Sequence, residues 1–293
     1  MTTIRQRNME TSHSSPTPMS DGNTHSSRVP DSSGHFEVNG HRLYWEWYGP
    51  KVVNPIVLLH HGLGSIRSWK HQIPVFLDVG RSVLVFDRWG YGGSDVRDSF
   101  APRFMHEDAE ETVEMFNFLG IKSVDLVGHS DGGSISLIIA GKYPELISRL
   151  VLVAAHIYIE QKMIDELKTL QEDMSPQFIR LLEREHGKKA EALIRAWADS
   201  WREHGDITLD LANELTNVKC PTLVIQGELD EHATPQQSID IAEGIPEANL
   251  WLIPGIGHMP PQDMPDVFNE KVLNFLSKKY CFYEYRSRIP YWE

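Results

Sequence analysis

Six short apolar runs punctuate the chain, at residues 55–59, 82–86, 124–127, 150–153, 222–225 and 250–253. Each is rich in Val, Ile and Leu, and continuous rather than alternating. That pattern suits strands buried on both faces of a parallel sheet. Two alternating runs precede them, 36–38 and 43–47, with Asn39-Gly40 between. Asn-Gly between alternating runs is a strong hairpin signal. Helical spacing of apolar residues separates most of the later runs, at 107–119, 134–142, 235–243 and 265–277. The first of these carries Ala109, Val113, Phe116 and Leu119 on one face. Alternation of strand and helix predicts an α/β fold with a doubly wound, mostly parallel sheet.

One stretch breaks the alternation. Residues 156–219 hold four helical patterns (163–171, 176–184, 188–200 and 209–215) and no strand run. A connection of that length is too long for an ordinary crossover. It predicts an inserted helical cap over the C-terminal edge of the sheet, where open α/β sheets hold ligands. The predicted organisation is a disordered extension over 1–34, a core over 35–155 and 220–279, the cap over 156–219, and an aromatic tail over 280–293. The extension is rich in Ser, Thr, Pro, Asn and Asp, and too poor in large apolar residues to offset its ordering entropy.

Charge and cysteine usage narrow the function classes. There are 28 Lys and Arg against 41 Asp and Glu, a formal net charge of −13. Such a surface repels phosphate backbones, so no nucleic-acid partner is expected. Cys220 and Cys281 form neither a disulfide framework nor a metal-ligand spacing. Two reduced thiols, no membrane-length apolar run and no apolar signal-peptide core predict a cytoplasmic protein without a membrane span. The oligomeric state is not legible.

The strongest chemical signal is Gly128-His129-Ser130-Asp131-Gly132-Gly133. It follows one apolar run directly and opens a helix, the context a nucleophile elbow requires. Glycines flank the serine because the turn is sharp. The motif lacks the Lys of a phosphate-binding loop. A serine hydroxyl needs a base. Among fourteen histidines, His258 stands in a Gly-rich loop just after the last strand run. The base needs a carboxylate to fix its tautomer. After run 222–225, Asp230 lies at the right distance to reach inward, with Glu228 as local competitor and Glu231 beside it. Oxyanion donors are expected from the backbone N–H of Asp131 and of Leu63, the latter in His60-His61-Gly62-Leu63-Gly64-Ser65 after the first buried strand. In the cap, Trp197 and Trp201 lie four residues apart. They either line a substrate pocket or pack the cap onto the core.

These pieces together resemble the α/β-hydrolase fold family, serine-nucleophile type with a helical cap. The matching segments are His61-Gly62, Asp87-Arg-Trp-Gly90-Tyr-Gly92-Gly-Ser94, Gly128-x-Ser130-x-Gly132, Gly227-x-x-Asp230 and Gly257-His258. The order Ser130, Asp230, His258 is the family's order. Trp89 stands where Arg is frequent. Serine at the elbow separates the chain from dehalogenases and epoxide hydrolases, which resemble the pattern but carry Asp there. Ser130-Asp131-Gly132-Gly133 is similar to the valacyclovir-hydrolase-like (biphenyl-hydrolase-like) branch. That resemblance implies a role for the Asp131 carboxylate in recognising an α-amino group on ester substrates. The alternative is a side chain that caps the helix or meets solvent. Met259, where C–C bond hydrolases often place an aromatic, lowers that reading. The resemblance implies cofactor-free ester hydrolysis through an acyl-enzyme, with a small-molecule ester as partner. Amidase, thioesterase, perhydrolase and C–C hydrolase chemistry use the same triad. A slow-turnover ligand receptor of the same fold is the alternative from another class.

Overall fold

A computed structural model of the protein describes residues 28–172 and 175–277. The expectations for the first 27 residues and for the aromatic tail with Cys281 lie outside the described residues.

The strands are β1 (Ser32–Val38), β2 (His41–Tyr48), β3 (Ile56–Leu59), β4 (Val83–Phe86), β5 (Val124–His129), β6 (Ile147–Val153), β7 (Thr222–Gly227) and β8 (Ala248–Ile253). They form one sheet in the order β1-β2-β4-β3-β5-β6-β7-β8. β1 and β2 are an antiparallel hairpin, β2 runs antiparallel to β4, and the other neighbours are parallel. Asn39 and Gly40 both take positive φ, 50° and 85°, as a two-residue hairpin turn demands. The hairpin begins at Ser32, so residues 32–34 belong to the sheet and not to the predicted extension.

The six single apolar runs all become strands. β3, β4, β5 and β7 are buried at every position. β8 departs from the expectation of burial on both faces. It is the sheet edge, and Leu250 is exposed there.

Ten helices accompany the described strands. They are α1 (Ile73–Asp78), α2 (Phe104–Leu119), α3 (Asp131–Lys142), α4 (Gln161–Glu172), α5 (Pro176–His186), α6 (Ala190–Thr208), α7 (Ala212–Leu215), α8 (Gln236–Gly244), α9 (Pro260–Asp263) and α10 (Pro265–Ser277). Two apolar layers sandwich the sheet. One face packs Leu84, Leu126, Leu152 and Val224 against α2 and α3. The other packs Val83, Val127, Val151 and Ile225 with Phe76 of α1 and with Phe268 and Val272 of α10. Side chains alternate across each strand, so a strand covered on both sides supplies both layers. α4 to α7 occupy the long insertion between β6 and β7 and contain no strand.

Tertiary ties seat the insertion on the sheet. Arg67 Nη1 donates to the carbonyl of Arg184 at 2.7 Å. His186 Nε2 donates to the carbonyl of Leu63 at 2.8 Å. Lys162 Nζ donates to the carbonyl of Asp230 at 2.5 Å. Among the described residues, no helix is long and apolar enough to cross a membrane.

Candidate active site

β5 runs straight into α3 through Ser130, the one residue between them. Ser130 has φ 54° and ψ −121°, a conformation costly for a residue with a Cβ. Close packing imposes the turn. A Cβ on Gly128 would sit 2.2 Å from the carbonyl oxygen of Gly132, and one on Gly132 would sit 2.4 Å from that of Leu59. Both obstacles are backbone and have nowhere to go. Gly132→Ala is therefore expected to destabilise the fold by about 3 kcal/mol or more. Chemical denaturation checks this, and a wild-type midpoint would contradict it.

Asp230 and His258 are in contact. His258 Nδ1 lies 2.9 and 3.0 Å from the two oxygens of Asp230. A carboxylate only accepts, so Nδ1 carries the proton and Nε2 keeps its lone pair. Asp230 also accepts from the backbone N–H of His232 at 2.9 Å and from Gln226 Nε2 at 3.2 Å. Burial pushes this carboxyl up, but the His258 bond and charge outweigh it and hold the group below its ordinary value. Glu228 is exposed, whereas Glu231 acts on the loop rather than the ring. Its carboxylate accepts the backbone N–H of His258 at 3.0 Å. On the other side, His129 Nε2 donates to the carbonyl of His258 at 2.8 Å. Both backbone groups of His258 are thus pinned, the N–H by Glu231 and the carbonyl by His129 of the elbow.

Leu63, like Ser130, is a non-glycine residue at positive φ, 59°. The His186 bond to its carbonyl orients that peptide from the cap. Asp131 begins α3, so its backbone N–H has no acceptor within the helix. Asp87 is structural, accepting from the backbone N–H of Ile66 at 2.8 Å and of Gly93 at 2.7 Å. Trp89 stacks on the ring of His41 at 3.9 Å.

The Asp131 side chain neither caps the helix nor meets solvent. It is buried. Trp197 Nε1 donates to Oδ2 at 2.9 Å, and Arg88 Nη2 lies 3.9 Å from the same oxygen. Arg88 in turn pairs with Asp108 at 2.9 Å, and Asp108 with Arg97 at 2.7 Å. On the other side, His156 Nε2 lies 3.6 Å from Oδ1, beyond hydrogen-bond length. Burial pushes His156 down to about 4 and outweighs the raising effect of Asp131, so the ring is neutral at pH 7. His61 is likewise pushed by burial to about 4.

These groups surround one cavity of about 620 Å³ between sheet edge and cap. Ser130, Asp131, His258, Leu63, Trp197 and Trp201 all line it. Trp201 also packs edge-on against Phe104 at 5.9 Å. The sequence reading passed over His129, His156 and Arg88. His129 and Arg88 stand inside quoted motifs whose signal falls on their neighbours, His156 stands in none, and each matters through a partner distant in the chain. Among the described residues, no three His, Cys, Asp or Glu side chains group as metal ligands. Cys220 is a free, buried thiol that burial pushes up to about 11.

An elbow serine, a carboxylate-held histidine after the last strand, and a helical insertion over the C-terminal sheet edge define a known class. A model of the alpha/beta hydrolase fold family matches residues 54–195. The human serine hydrolase BPHL is 30% identical over 255 residues, covering 84% of this chain and 86% of that protein. The putative carbamate hydrolase RutD of Caulobacter sp. (strain K31) is 25% identical over 263 residues, covering 80% of this chain and 96% of that protein. Among solved structures, MGS-M2, an alpha/beta hydrolase enzyme from a Medee basin deep-sea metagenome library, superposes with a TM-score of 0.70. It is 25% identical and covers 86% of this chain and 100% of that one. The chain belongs to the alpha/beta hydrolase fold family and is a hydrolase.

Proposed function

We propose that this protein hydrolyses small carboxylic esters through a serine-bound acyl-enzyme. The observation that carries the proposal is the Asp230–His258 pair, fixed at 2.9 Å and sharing one cavity with the strained Ser130. The cavity volume lies within the range typical of small-molecule sites.

In this reading, Ser130 Oγ attacks the acyl carbon while His258 Nε2 takes its proton. The N–H groups of Leu63 and Asp131 hold the oxyanion. Asp230 holds the ring proton on Nδ1, so that Nε2 is the nitrogen turned to the serine, and stabilises the imidazolium that forms. The tetrahedral adduct collapses, the carbon–oxygen bond to the alcohol breaks, and His258 returns the proton to that alcohol. Water then attacks the Ser130 ester with His258 as base. The carboxylic acid leaves and Ser130 regains its proton. A panel of p-nitrophenyl esters tests the proposal: many turnovers per active site are expected. A single burst with no further turnover would favour the ligand-receptor reading instead.

Asp131 gives the site a preference. Among the described residues, no partner lies closer to its Oδ1 than His156 at 3.6 Å, so a substrate α-amino group is its proposed occupant, as the resemblance implies. Arg88 at 3.9 Å offsets part of the carboxylate charge and keeps the preference modest. An amino-acid ester should react about tenfold faster in kcat/KM than its uncharged analogue, a difference of one bidentate-free ion contact. Asp131→Asn should bring the ratio near one. An unchanged ratio would remove Asp131 from substrate recognition.

A further inference from the structure

The polar contacts of His258 leave the tilt of its ring open. Asp230 holds Nδ1, whereas Glu231 and His129 hold the backbone N–H and carbonyl. A ring bonded at one atom can still swing about that atom, and the swing moves Nε2. Packing against neighbouring rings limits it. The His258 ring meets that of His129 at 5.2 Å and 36°, and that of His232 at 4.3 Å and 88°. His129 is buried and carries its own bond to the His258 carbonyl. His232 is more open. It lines the cavity, and its side chain is 48% exposed. A ring so exposed keeps one rotamer only where a contact holds it.

The holding contact comes from the cap. His232 Nδ1 donates to Oε2 of Glu166, on α4, at 2.6 Å. Glu166 reaches the acid loop because α4 is seated there at two earlier points. Glu160, just before α4, accepts from the backbone N–H of Thr234 at 2.8 Å and from its hydroxyl at 2.5 Å. Lys162 Nζ donates to the carbonyl of Asp230. Lys162 and Glu166 are four residues apart on α4 and so share a face. The backbone of His232 is fixed separately, by its N–H on Asp230 Oδ1. We infer that His232 is a positioning residue for the His258 ring, and that Glu166 of the cap sets it. The inference rests on the ester-hydrolase reading for what that ring does. The role is steric: the His232 ring blocks one direction of swing and so keeps Nε2 aimed. It needs a hydrogen-bond acceptor at residue 166 rather than a charge, and a ring at 232 rather than a base.

The test is a mutant cycle on the full chain with p-nitrophenyl butyrate as substrate. Glu166→Ala should lower kcat about tenfold, since a small misplacement of a catalytic group is costly. KM should change by less than about twofold, because substrate contacts are kept. Glu166→Gln, whose amide oxygen still accepts from Nδ1, should restore most of the loss. In a His232→Phe background, Glu166→Ala should cost little more, because there is no bond left to break. Equal losses from Glu166→Ala in both backgrounds, or no rescue by Gln, overturn the inference in favour of a general role in the cap or a role of charge. A wild-type kcat in Glu166→Ala overturns it outright. Should Glu166→Ala not fold, His232→Ala and His232→Phe give the same reading: the alanine should lose clearly more than the phenylalanine, and equal losses overturn it. If the wild type turns over no ester, the ester-hydrolase reading fails by itself. The cycle is then read on the rate at which a fluorophosphonate labels Ser130, and equal rates in all variants overturn the positioning role.

Discussion

On the proposed mechanism, Ser130→Ala is expected to lower kcat for ester hydrolysis on the order of 10⁶-fold, because members of a nucleophile–base–acid unit fail together. The arrangement argues for a loss of that size rather than a partial one. The elbow holds Ser130 in a conformation that only a dense local packing sustains. His258 is oriented by three separate contacts: Asp230 on the ring, Glu231 on its N–H and His129 on its carbonyl. None of these helps water attack a substrate directly once the hydroxyl is gone. What remains is binding and the oxyanion donors. KM should change much less than kcat, and the thermal midpoint should stay near wild type. A residual rate within tenfold of wild type would show that another group does the chemistry.

The second large effect is on stability. Lowering the pH from 7.5 to 5 should lower the melting temperature by about 5–10 °C. Burial pushes His61 and His156 to about 4, from an ordinary value of 6.5. Burial likewise lowers His60 and His129 well below that value. These groups are bases whose neutral form the fold favours. Above pH 6.5 neither folded nor unfolded chain protonates them, and their contribution to stability is complete. Between about 6.5 and 4 the unfolded chain takes up protons that the folded chain refuses, so stability falls as pH falls. At pH 5, His61 and His156 each account for about 2 kcal/mol of that loss. Asp87 works the other way. Burial pushes its carboxyl up to about 6, so the folded chain gains a proton first. One such carboxylate offsets about 1 kcal/mol over the same interval, less than the histidines remove. At roughly 2–4 °C per kcal/mol for a chain of this size, the net is the shift stated. His156→Leu should flatten the slope. A melting temperature that holds or rises on acidification would contradict the assignment of neutral buried histidines.

The parts of this molecule legible from sequence share a physical cause. β3, β4, β5 and β7 read correctly because both faces are covered, so every position is apolar and no periodicity has to be resolved. β8 carries the same composition, yet lies at the edge; a run of apolar residues does not encode how many neighbours a strand has. α1 escaped notice because six residues with a proline at the second position leave no helical period to detect. In the site, Ser130, Asp230 and His258 could be picked out because each stands just beyond a strand end in a loop with its own local signature. His129 could not, although it sits inside the elbow motif. Its role is a bond to the carbonyl of a residue 129 positions away. Arg88 and His156 are of the same kind. Their partner Asp131 was visible, but whether it was buried, paired or solvated depended on the third dimension. Asp131 had a family precedent and an open alternative; the contact with Trp197 on the cap closes that alternative.

Fluorophosphonate labelling with peptide mapping tests the central claim most directly. The probe should bind one equivalent per chain, on the peptide containing Ser130, and His258→Ala should slow the reaction severely. Labelling that maps to another residue, or that proceeds undiminished in Ser130→Ala protein, would contradict the account.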